Sequence, residues 1–189
     1  MPAKRRKISL RLKDYDYSAS NAYFITLHLH DCNIDMGKIE NNSVDLNETG
    51  KLMEKWWLEI PKKFKTVIHD QYKIMPTHLH GIIMLFNDPF WNLNASSVGA
   101  DLCVRPNIKQ IIQWFKTIST NDYIKGVKEN RLKPFNKKIW QRSFYDRIIR
   151  NEKEFELIQE YIFFNPIKWI WDKEEFERLL KDIDKPKNG

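Results

Sequence analysis

The alternation of strand-like and helical patterns along this chain predicts an α+β domain, in which helices pack mainly on one face of an antiparallel sheet. Short runs of β-branched and aromatic residues alternate with amphipathic runs at helical spacing. The second and third predicted strands are separated only by Pro76-Thr77, and so short a connection favours antiparallel pairing. The resulting order, β-α-β-β-α-β-α, is that of a ferredoxin-like domain.

The first half of the chain contains three predicted strands and one helix. Residues 22–30 are rich in β-branched and aromatic side chains and predict the first strand. Residues 66–75 and the apolar run that follows His80 predict the second and third strands. Asp45 or Asn47 can cap a helix to about residue 64, because apolar residues follow at helical spacing, namely Met53, Trp56, Trp57 and Ile60.

The second half contains a loop, two helices and a strand. Residues 87–106 show little periodicity and predict a long loop, and residues 144–149 predict a last short strand. Asn151 can cap a final helix that Asn165-Pro166 ends, because helical geometry is disfavoured before proline. The helix predicted over 108–118 has its apolar side chains on one side, namely Ile111, Ile112, Phe115 and Ile118.

The composition predicts one folded domain in the cytoplasm. With 42% apolar residues, including 7 Trp, 7 Tyr and 11 Phe, the 189 residues can bury a sizeable core. No apolar run reaches the length of a membrane span, the N-terminus lacks an apolar signal core, and two cysteines are too few for a disulfide framework. We expect a cytoplasmic, nucleoid-associated protein without a membrane partner. Its domain is predicted over residues 21–170, between a basic arm over 1–20 and a charged tail over 171–189.

Basic residues concentrate in two stretches and favour binding to nucleic acid. The chain carries 32 Lys and Arg against 25 Asp and Glu, a net charge of +7. Aromatic residues interrupt the second stretch, and cations with stacking surfaces between them suit a backbone with unpaired bases. A basic surface that binds nothing is the alternative. The residues predicted to contact DNA are Lys4, Arg5, Arg6, Lys7 and Arg11 in the first stretch, and Lys137, Lys138, Trp140, Arg142, Tyr145, Arg147 and Arg150 in the second.

A pair of histidines on the third strand is the strongest candidate for a metal site. His78 and His80 are separated by one apolar residue, so on a strand both imidazoles point to the same face, about 6–7 Å apart along the chain. Two imidazoles in that arrangement can converge on one cation. Gly81 follows them and lets another group approach the strand closely.

Two polar residues at the end of the last helix can face one site. Tyr161 lies beside the apolar stripe of this helix, and Asn165 follows four residues later, one helical turn on. The amide oxygen can be a third ligand beside two imidazoles, while the phenol serves as a nucleophile. The alternative is an ordinary boundary tyrosine followed by a plain helix stop.

Three segments of the chain, in this order, resemble a known family. They are Met75-Pro76-Thr77-His78-Leu79-His80-Gly81-Ile82-Ile83, then Trp140-Gln141-Arg142-Ser143-Phe144-Tyr145-Asp146-Arg147-Ile148-Ile149-Arg150-Asn151-Glu152-Lys153-Glu154, then Tyr161-Ile162-Phe163-Phe164-Asn165-Pro166-Ile167-Lys168-Trp169. The first resembles the HUH signature (histidine, hydrophobic residue, histidine) of the single-tyrosine transposases, and the others resemble the segment before their tyrosine helix and that helix itself. The branch that the chain most resembles is the REP-associated tyrosine transposases. Thr77 departs from the pattern, because asparagine is commoner there.

The resemblance implies a metal-dependent DNA strand transferase that acts on single-stranded or hairpin DNA as a monomer or homodimer. By similarity, His78 and His80 would hold Mg²⁺ or Mn²⁺, with Asn165 as the third protein ligand. Tyr161 would attack a phosphodiester and leave a 5′-phosphotyrosine and a free 3′-hydroxyl. Because imidazole is a less usual ligand for Mg²⁺, we expect Mn²⁺ to bind more tightly.

Alternatives remain open for the metal pair, the nucleophile and the activity. His28-Leu29-His30 repeats the same spacing; the flanking residues that carry the resemblance select His78 and His80, which leaves His28 and His30 as DNA-facing or surface groups. Tyr145 is the rival nucleophile, although no amide follows it one turn later and stacking on a base suits it better. Two other activities are possible: a domesticated protein that binds hairpin DNA without cleaving it, and a metal-dependent hydrolase whose nucleophile is water.

Overall fold

The computed structural model describes residues 21–86 and 106–166, which form six strands and four helices. The predicted basic arm, most of the predicted loop over 87–106 and the C-terminal tail lie outside the described residues. The elements are β1 (Asn21–His28), β2 (Gly37–Glu40), β3 (Ser43–Leu46), α1 (Glu48–Leu58), α2 (Ile60–Lys63), β4 (Val67–Ile74), β5 (His78–Leu85), α3 (Ile108–Lys128), β6 (Tyr145–Ile149) and α4 (Glu152–Phe164).

The four longer strands form one antiparallel sheet in the order β4-β5-β1-β6. In this order the first strand along the chain is central and the last one is at an edge, which is the ferredoxin-like arrangement. The predicted α+β fold is therefore confirmed.

Helices cover both faces of this sheet. Alternate residues of β1 point to opposite sides, so Tyr23 and Ile25 pack into the larger core with α1, α2 and α3. Phe24 points the other way and packs with Ile158 and Ile162 of α4. Three helices thus lie on one face as predicted, and α4 alone covers the opposite face.

Two helices differ in length from the prediction. The helix expected to reach residue 64 is divided at Glu59 into α1 and the short α2, which has Pro61 in its first turn. The helix expected to end at residue 118 continues to Lys128, because Tyr123 is buried against the core and Ser119 donates its buried hydroxyl to a backbone carbonyl of the preceding turn. The polar sequence of the last turns hid this extension.

The β2–β3 hairpin was not predicted. Its turn residues, Asn41 and Asn42, have φ angles of 49° and 61°. Asparagine tolerates this left-handed region, and a two-residue turn of this kind matches the twist of a hairpin. The two adjacent asparagines between short apolar-polar alternations were the signal for it.

Within the described ranges, no helix combines the length and the apolar character that crossing a membrane requires.

Substituting Gly81 by Ala is expected to destabilise the protein. The indole ring of Trp57 lies against the bare Cα of Gly81, and a Cβ atom there would overlap ring atom Cζ2 of this fully buried side chain. Overpacking of this kind costs about 1–3 kcal/mol in the free energy of unfolding, which urea titration measures.

Gly126→Ala is the matched control. Its added Cβ meets only the side chain of Leu132, whose nearest atom is the terminal Cδ1 at 2.6 Å, and alanine favours the helix over glycine by about 1 kcal/mol. Equal losses in the two variants would contradict the close packing of Trp57 on Gly81.

Candidate active site

The candidate site lies on the face of the sheet that α4 covers. His78 and His80 of β5 both point to this face, as the sequence predicts for alternate residues. In the pairing of β1 with β5, His28 is opposite His78 and Thr26 is opposite His80. The site is therefore built on the two central strands of the sheet, where the backbone is held on both sides.

The two histidines converge. Their Nε2 atoms are 2.9 Å apart, and the ring centroids are separated by 4.5 Å. His80 is buried, stacked on Phe24 at 5.4 Å, and its Nδ1 is 2.9 Å from the hydroxyl oxygen of Thr26. When Nδ1 donates to Thr26, the Nε2 atom of His80 presents its lone pair, which is the form that a metal requires.

His78 is the more accessible member of the pair. Its Nδ1 is 3.2 Å from the hydroxyl oxygen of Thr77, and its ring centroid is 5.1 Å from that of His28. Burial, and secondarily the charge of His28, lowers the pKa of His78 to about 4. The imidazole of His78 is thus neutral at physiological pH, with a nitrogen lone pair available to a cation.

This lowered pKa predicts how the stability of the metal-free protein depends on pH. Between the ordinary histidine pKa of 6.5 and the folded value of about 4, the unfolded chain binds a proton that folded His78 excludes. The free energy of unfolding should therefore fall as the pH drops from 7 to 4, with about 2–3 kcal/mol of the loss due to this group. Urea titrations in EDTA at several pH values measure it.

His78→Gln should flatten this part of the pH profile, because glutamine does not titrate. His30→Gln is the matched control, since His30 is exposed. Parallel profiles for the wild type and both variants would contradict the burial-induced shift at His78.

The helix α4 brings Tyr161 over the histidine pair. Asn151 caps the helix by accepting a hydrogen bond at 2.9 Å from the backbone N–H of Glu154, as the sequence predicts. With Ile158 and Ile162 packed on the sheet, the Tyr161 hydroxyl lies 3.4 Å from Nε2 of His80. The phenol and the two imidazoles thus share one small volume.

Asn165 stands one turn after Tyr161, at the C-cap of α4. The residue is 8% exposed and keeps helical backbone geometry, so the final turn continues far enough to place it on the same side of the helix as Tyr161.

The residues present fit a divalent cation. Among residues 21–86 and 106–166, no three or more His, Cys, Asp or Glu side chains are grouped as a metal site. A metal here would therefore depend on the two convergent imidazoles, with the neutral amide of Asn165 as an oxygen donor and the remaining positions left to water or substrate. Such an incompletely filled coordination sphere is typical of catalytic rather than structural sites.

The rival candidates occupy different places. His30 is exposed beyond the end of β1. Tyr145 is opposite Thr26 in the pairing of β1 with β6, so it points to the same face as the histidines, and its ring meets Phe24 edge-on at 6.0 Å. Tyr145 is therefore a neighbour of the site, and its role as a nucleophile is a question for mutagenesis.

The residues predicted to bind DNA divide into exposed and interior groups. Lys4, Arg5, Arg6, Lys7 and Arg11 lie outside the described residues, whereas Lys137, Lys138, Arg142 and Arg150 are exposed. Trp140 is only 5% exposed, packs on Phe115 and donates its indole N–H to Ser119, which argues against the predicted role in contacting DNA. Arg147 is also drawn inward, since its Nε donates to the carboxylate of Glu154 at 2.6 Å.

Thr26 and Phe24 belong to the site but were not predicted as site residues. Both alternate with the core residues of β1 and therefore point to the face that carries the histidines. The alternation is visible in the sequence, but their contact with His80 depends on the pairing of β1 with β5, which residues far apart in the chain determine.

No family model matches the chain. An uncharacterized protein of Haemophilus influenzae is 32% identical over 170 residues, which cover 87% of this chain and 91% of that protein. The chain belongs to the same family as that protein. The fold of this family member is shared with a solved structure of a REP-associated tyrosine transposase bound to a REP hairpin, at a TM-score of 0.51 and 19% identity. That match covers 88% of this chain and 77% of the other.

Proposed function

We propose that the protein is a metal-dependent endonuclease and strand transferase, which cleaves hairpin-forming single-stranded DNA through a 5′-phosphotyrosine at Tyr161. One observation carries the proposal: the Tyr161 hydroxyl is 3.4 Å from Nε2 of His80, which is itself 2.9 Å from Nε2 of His78. A phenol and two imidazole nitrogens are thus close together, although Tyr161 and His80 are 81 residues apart in the chain. The fold shared with a tyrosine transposase that binds a REP hairpin supports the same reading.

The side chains have separate roles in this reaction. His78, His80 and Asn165 would hold Mg²⁺ or Mn²⁺, which when bound favours the phenolate and neutralises charge on the phosphate. Tyr161 attacks phosphorus, the P–O3′ bond breaks, the phenolic proton passes to solvent and the 3′ oxygen leaves to become a hydroxyl. Thr26 and Phe24 hold the ring of His80 in one orientation. The covalent link conserves the phosphodiester, so the strand can be rejoined without another energy source.

One copy of the chain supplies both parts of the site. Tyr161 reaches the histidine of its own chain because α4 packs on its own sheet. We therefore expect a monomer to be able to carry out the proposed reaction.

The test uses single-stranded hairpins from repeats of the host chromosome, labelled at one end and incubated with Mn²⁺, Mg²⁺ or EDTA. A denaturing gel should show the 3′ label migrating with the protein, only when metal is present. The 5′ label should be found on a shorter strand that a polymerase extends, because it ends in a free 3′-hydroxyl.

Other results distinguish the alternatives. Cleavage without an adduct would indicate a hydrolase that uses water, and the 5′ label on the protein would reverse the proposed polarity. Binding of the hairpins without cleavage in any metal would indicate a protein that only recognises them.

A further inference from the structure

Lys73 is a cation on the same face of the sheet as the candidate site. It lies on the edge strand β4, directly opposite His80 in the pairing of β4 with β5. Its neighbour Tyr72 points to the other face, where its ring packs near Trp57 and its hydroxyl lies 3.1 Å from a carboxylate oxygen of Glu54. Ile74, on its other side, belongs to the larger core. Because side chains alternate along a strand, Lys73 points to the face that α4 covers.

Lys73 belongs to a row of side chains that crosses the sheet at the level of His80. The row is formed, strand by strand, by Lys73, His80, Thr26 and Tyr145. Neighbouring strands are about 4.8 Å apart, and an extended lysine side chain is long enough to span that distance. The ammonium group can therefore reach the volume between His80 and Tyr161.

The helix α4 passes over this part of β4. The side-chain amide of Gln159 donates to the carboxylate of Asp70, three residues before Lys73. The same helix carries Tyr161, whose hydroxyl lies 3.4 Å from Nε2 of His80, so α4 extends from the edge strand β4 to the histidine on β5. Lys73 is half-buried beneath it.

Among the described residues, no carboxylate forms an ion pair with Lys73. Within residues 21–86 and 106–166 it also forms no side-chain hydrogen bond. The carboxylate of Asp70 interacts with Gln159, and that of Glu54 lies on the opposite face. The ammonium group of Lys73 would repel a metal ion held by the two histidines. This arrangement is unfavourable unless an anion lies between the two cations.

We infer that Lys73 binds a non-bridging oxygen of the phosphate that Tyr161 attacks, an inference that rests on the proposed function. Lysine serves as a point charge for phosphate, and a fixed cation stabilises the negative charge that develops on phosphoryl oxygens in the transition state. Lys73 would then contribute both to binding of the backbone and to the rate of cleavage.

The binding test measures the affinity for fluorescein-labelled oligothymidylate of about 20 nucleotides, in EDTA, over a range of salt concentrations. The association constant K falls as salt rises, and loss of one phosphate contact to a single strand lowers the magnitude of the slope of log K against log salt by about 0.7. Lys73→Met should show this decrease, and Lys73→Arg should keep the wild-type slope. Lys63→Met is the matched control, because it removes the same charge from the exposed end of α2, on the opposite face.

The rate test follows adduct formation on the cleavable hairpin in Mn²⁺. Loss of a preorganised charge at the transition state reduces such rates about 10²- to 10³-fold, so Lys73→Met should fall in that range and Lys73→Arg should recover most of the rate. If Lys73→Met keeps both the wild-type salt dependence and the wild-type rate of adduct formation, the inference is overturned. It is also overturned if the salt dependence weakens while the rate is unchanged, because Lys73 would then contact a phosphate other than the one cleaved.

A wild-type protein that binds DNA without forming an adduct would overturn the proposed function instead. In that case an unchanged slope in Lys73→Met would also overturn the phosphate contact, and a lowered slope would support it.

Discussion

Replacing Tyr161 by Phe is expected to abolish the covalent protein–DNA adduct while leaving the fold and the binding of hairpin DNA intact. The substitution removes only the hydroxyl, which lies 3.4 Å from His80, and keeps the ring that packs edge-on against Phe24 at 6.0 Å. Without the oxygen nucleophile no bond to phosphorus can form, so we expect a loss of at least about 10⁴-fold in adduct yield. A denaturing gel measures the adduct, and fluorescence anisotropy measures the binding.

Tyr145→Phe is the matched control, because it removes the same group from the same face of the sheet. Tyr145 lies two strands from His80, beyond Thr26, and is held on β6 rather than on α4. The adduct should therefore persist in this variant. An adduct that persists in Tyr161→Phe and disappears in Tyr145→Phe would identify Tyr145 as the nucleophile.

The sequence predicted the parts of this site that local patterns determine. The spacing of His78 and His80 predicts a shared face on any strand, and the Asn151 cap predicts where α4 begins. The turn of helix between Tyr161 and Asn165 is equally local. Each of these depends on residues within about one turn or three strand positions of one another, and the structure has each of them.

Contacts between distant segments could not be predicted from such patterns. The hydrogen bond between Thr26 and His80 joins residues 54 apart in the chain, and it exists because β1 pairs with β5 in one register. The place of Lys73 opposite His80 depends in the same way on the register of β4, which is irregular between His69 and Tyr72. Register is determined by burial on both faces together, which single segments do not reveal.

Burial argues against one interpretation made from composition. Trp140 lies in a basic stretch and was predicted to contact DNA, but its indole fills the core and satisfies its N–H on Ser119. An aromatic residue between cations has the same sequence signature whether it stacks on a base or anchors the segment to the core. Only the packing of α3 beneath it distinguishes the two.

Disrupting the buried ion pair at the start of α4 is expected to have the largest effect on stability. The carboxylate of Glu154 is fully buried and accepts hydrogen bonds from Nε of Arg147 at 2.6 Å and from the backbone N–H of Arg150 at 2.9 Å. Glu154→Gln keeps the shape but removes the negative charge, which leaves the Arg147 side chain, 18% exposed, next to a neutral group. Removing one partner of a buried pair costs about 3–5 kcal/mol in the free energy of unfolding, which urea titration measures.

The exposed pair of Lys51 and Glu48 provides the matched control. Their side chains are 63% and 67% exposed, so Glu48→Gln should cost less than about 1 kcal/mol. Equal losses in Glu154→Gln and Glu48→Gln would contradict a structural role for the buried pair. Adding Arg147→Met to Glu154→Gln should recover part of the loss, because the second substitution removes a charge that the glutamine no longer neutralises.

This ion pair also links stability to the proposed chemistry. Arg147 is on β6 and Glu154 is in the first turn of α4, so the pair fixes the end of the helix from which Tyr161 follows about two turns later. Glu154→Gln should therefore slow adduct formation even at temperatures where the protein remains folded, and Glu48→Gln should not. A fully folded Glu154→Gln variant that forms the adduct at the wild-type rate would show that the packing of Ile158 and Ile162 on the sheet is sufficient to position the phenol.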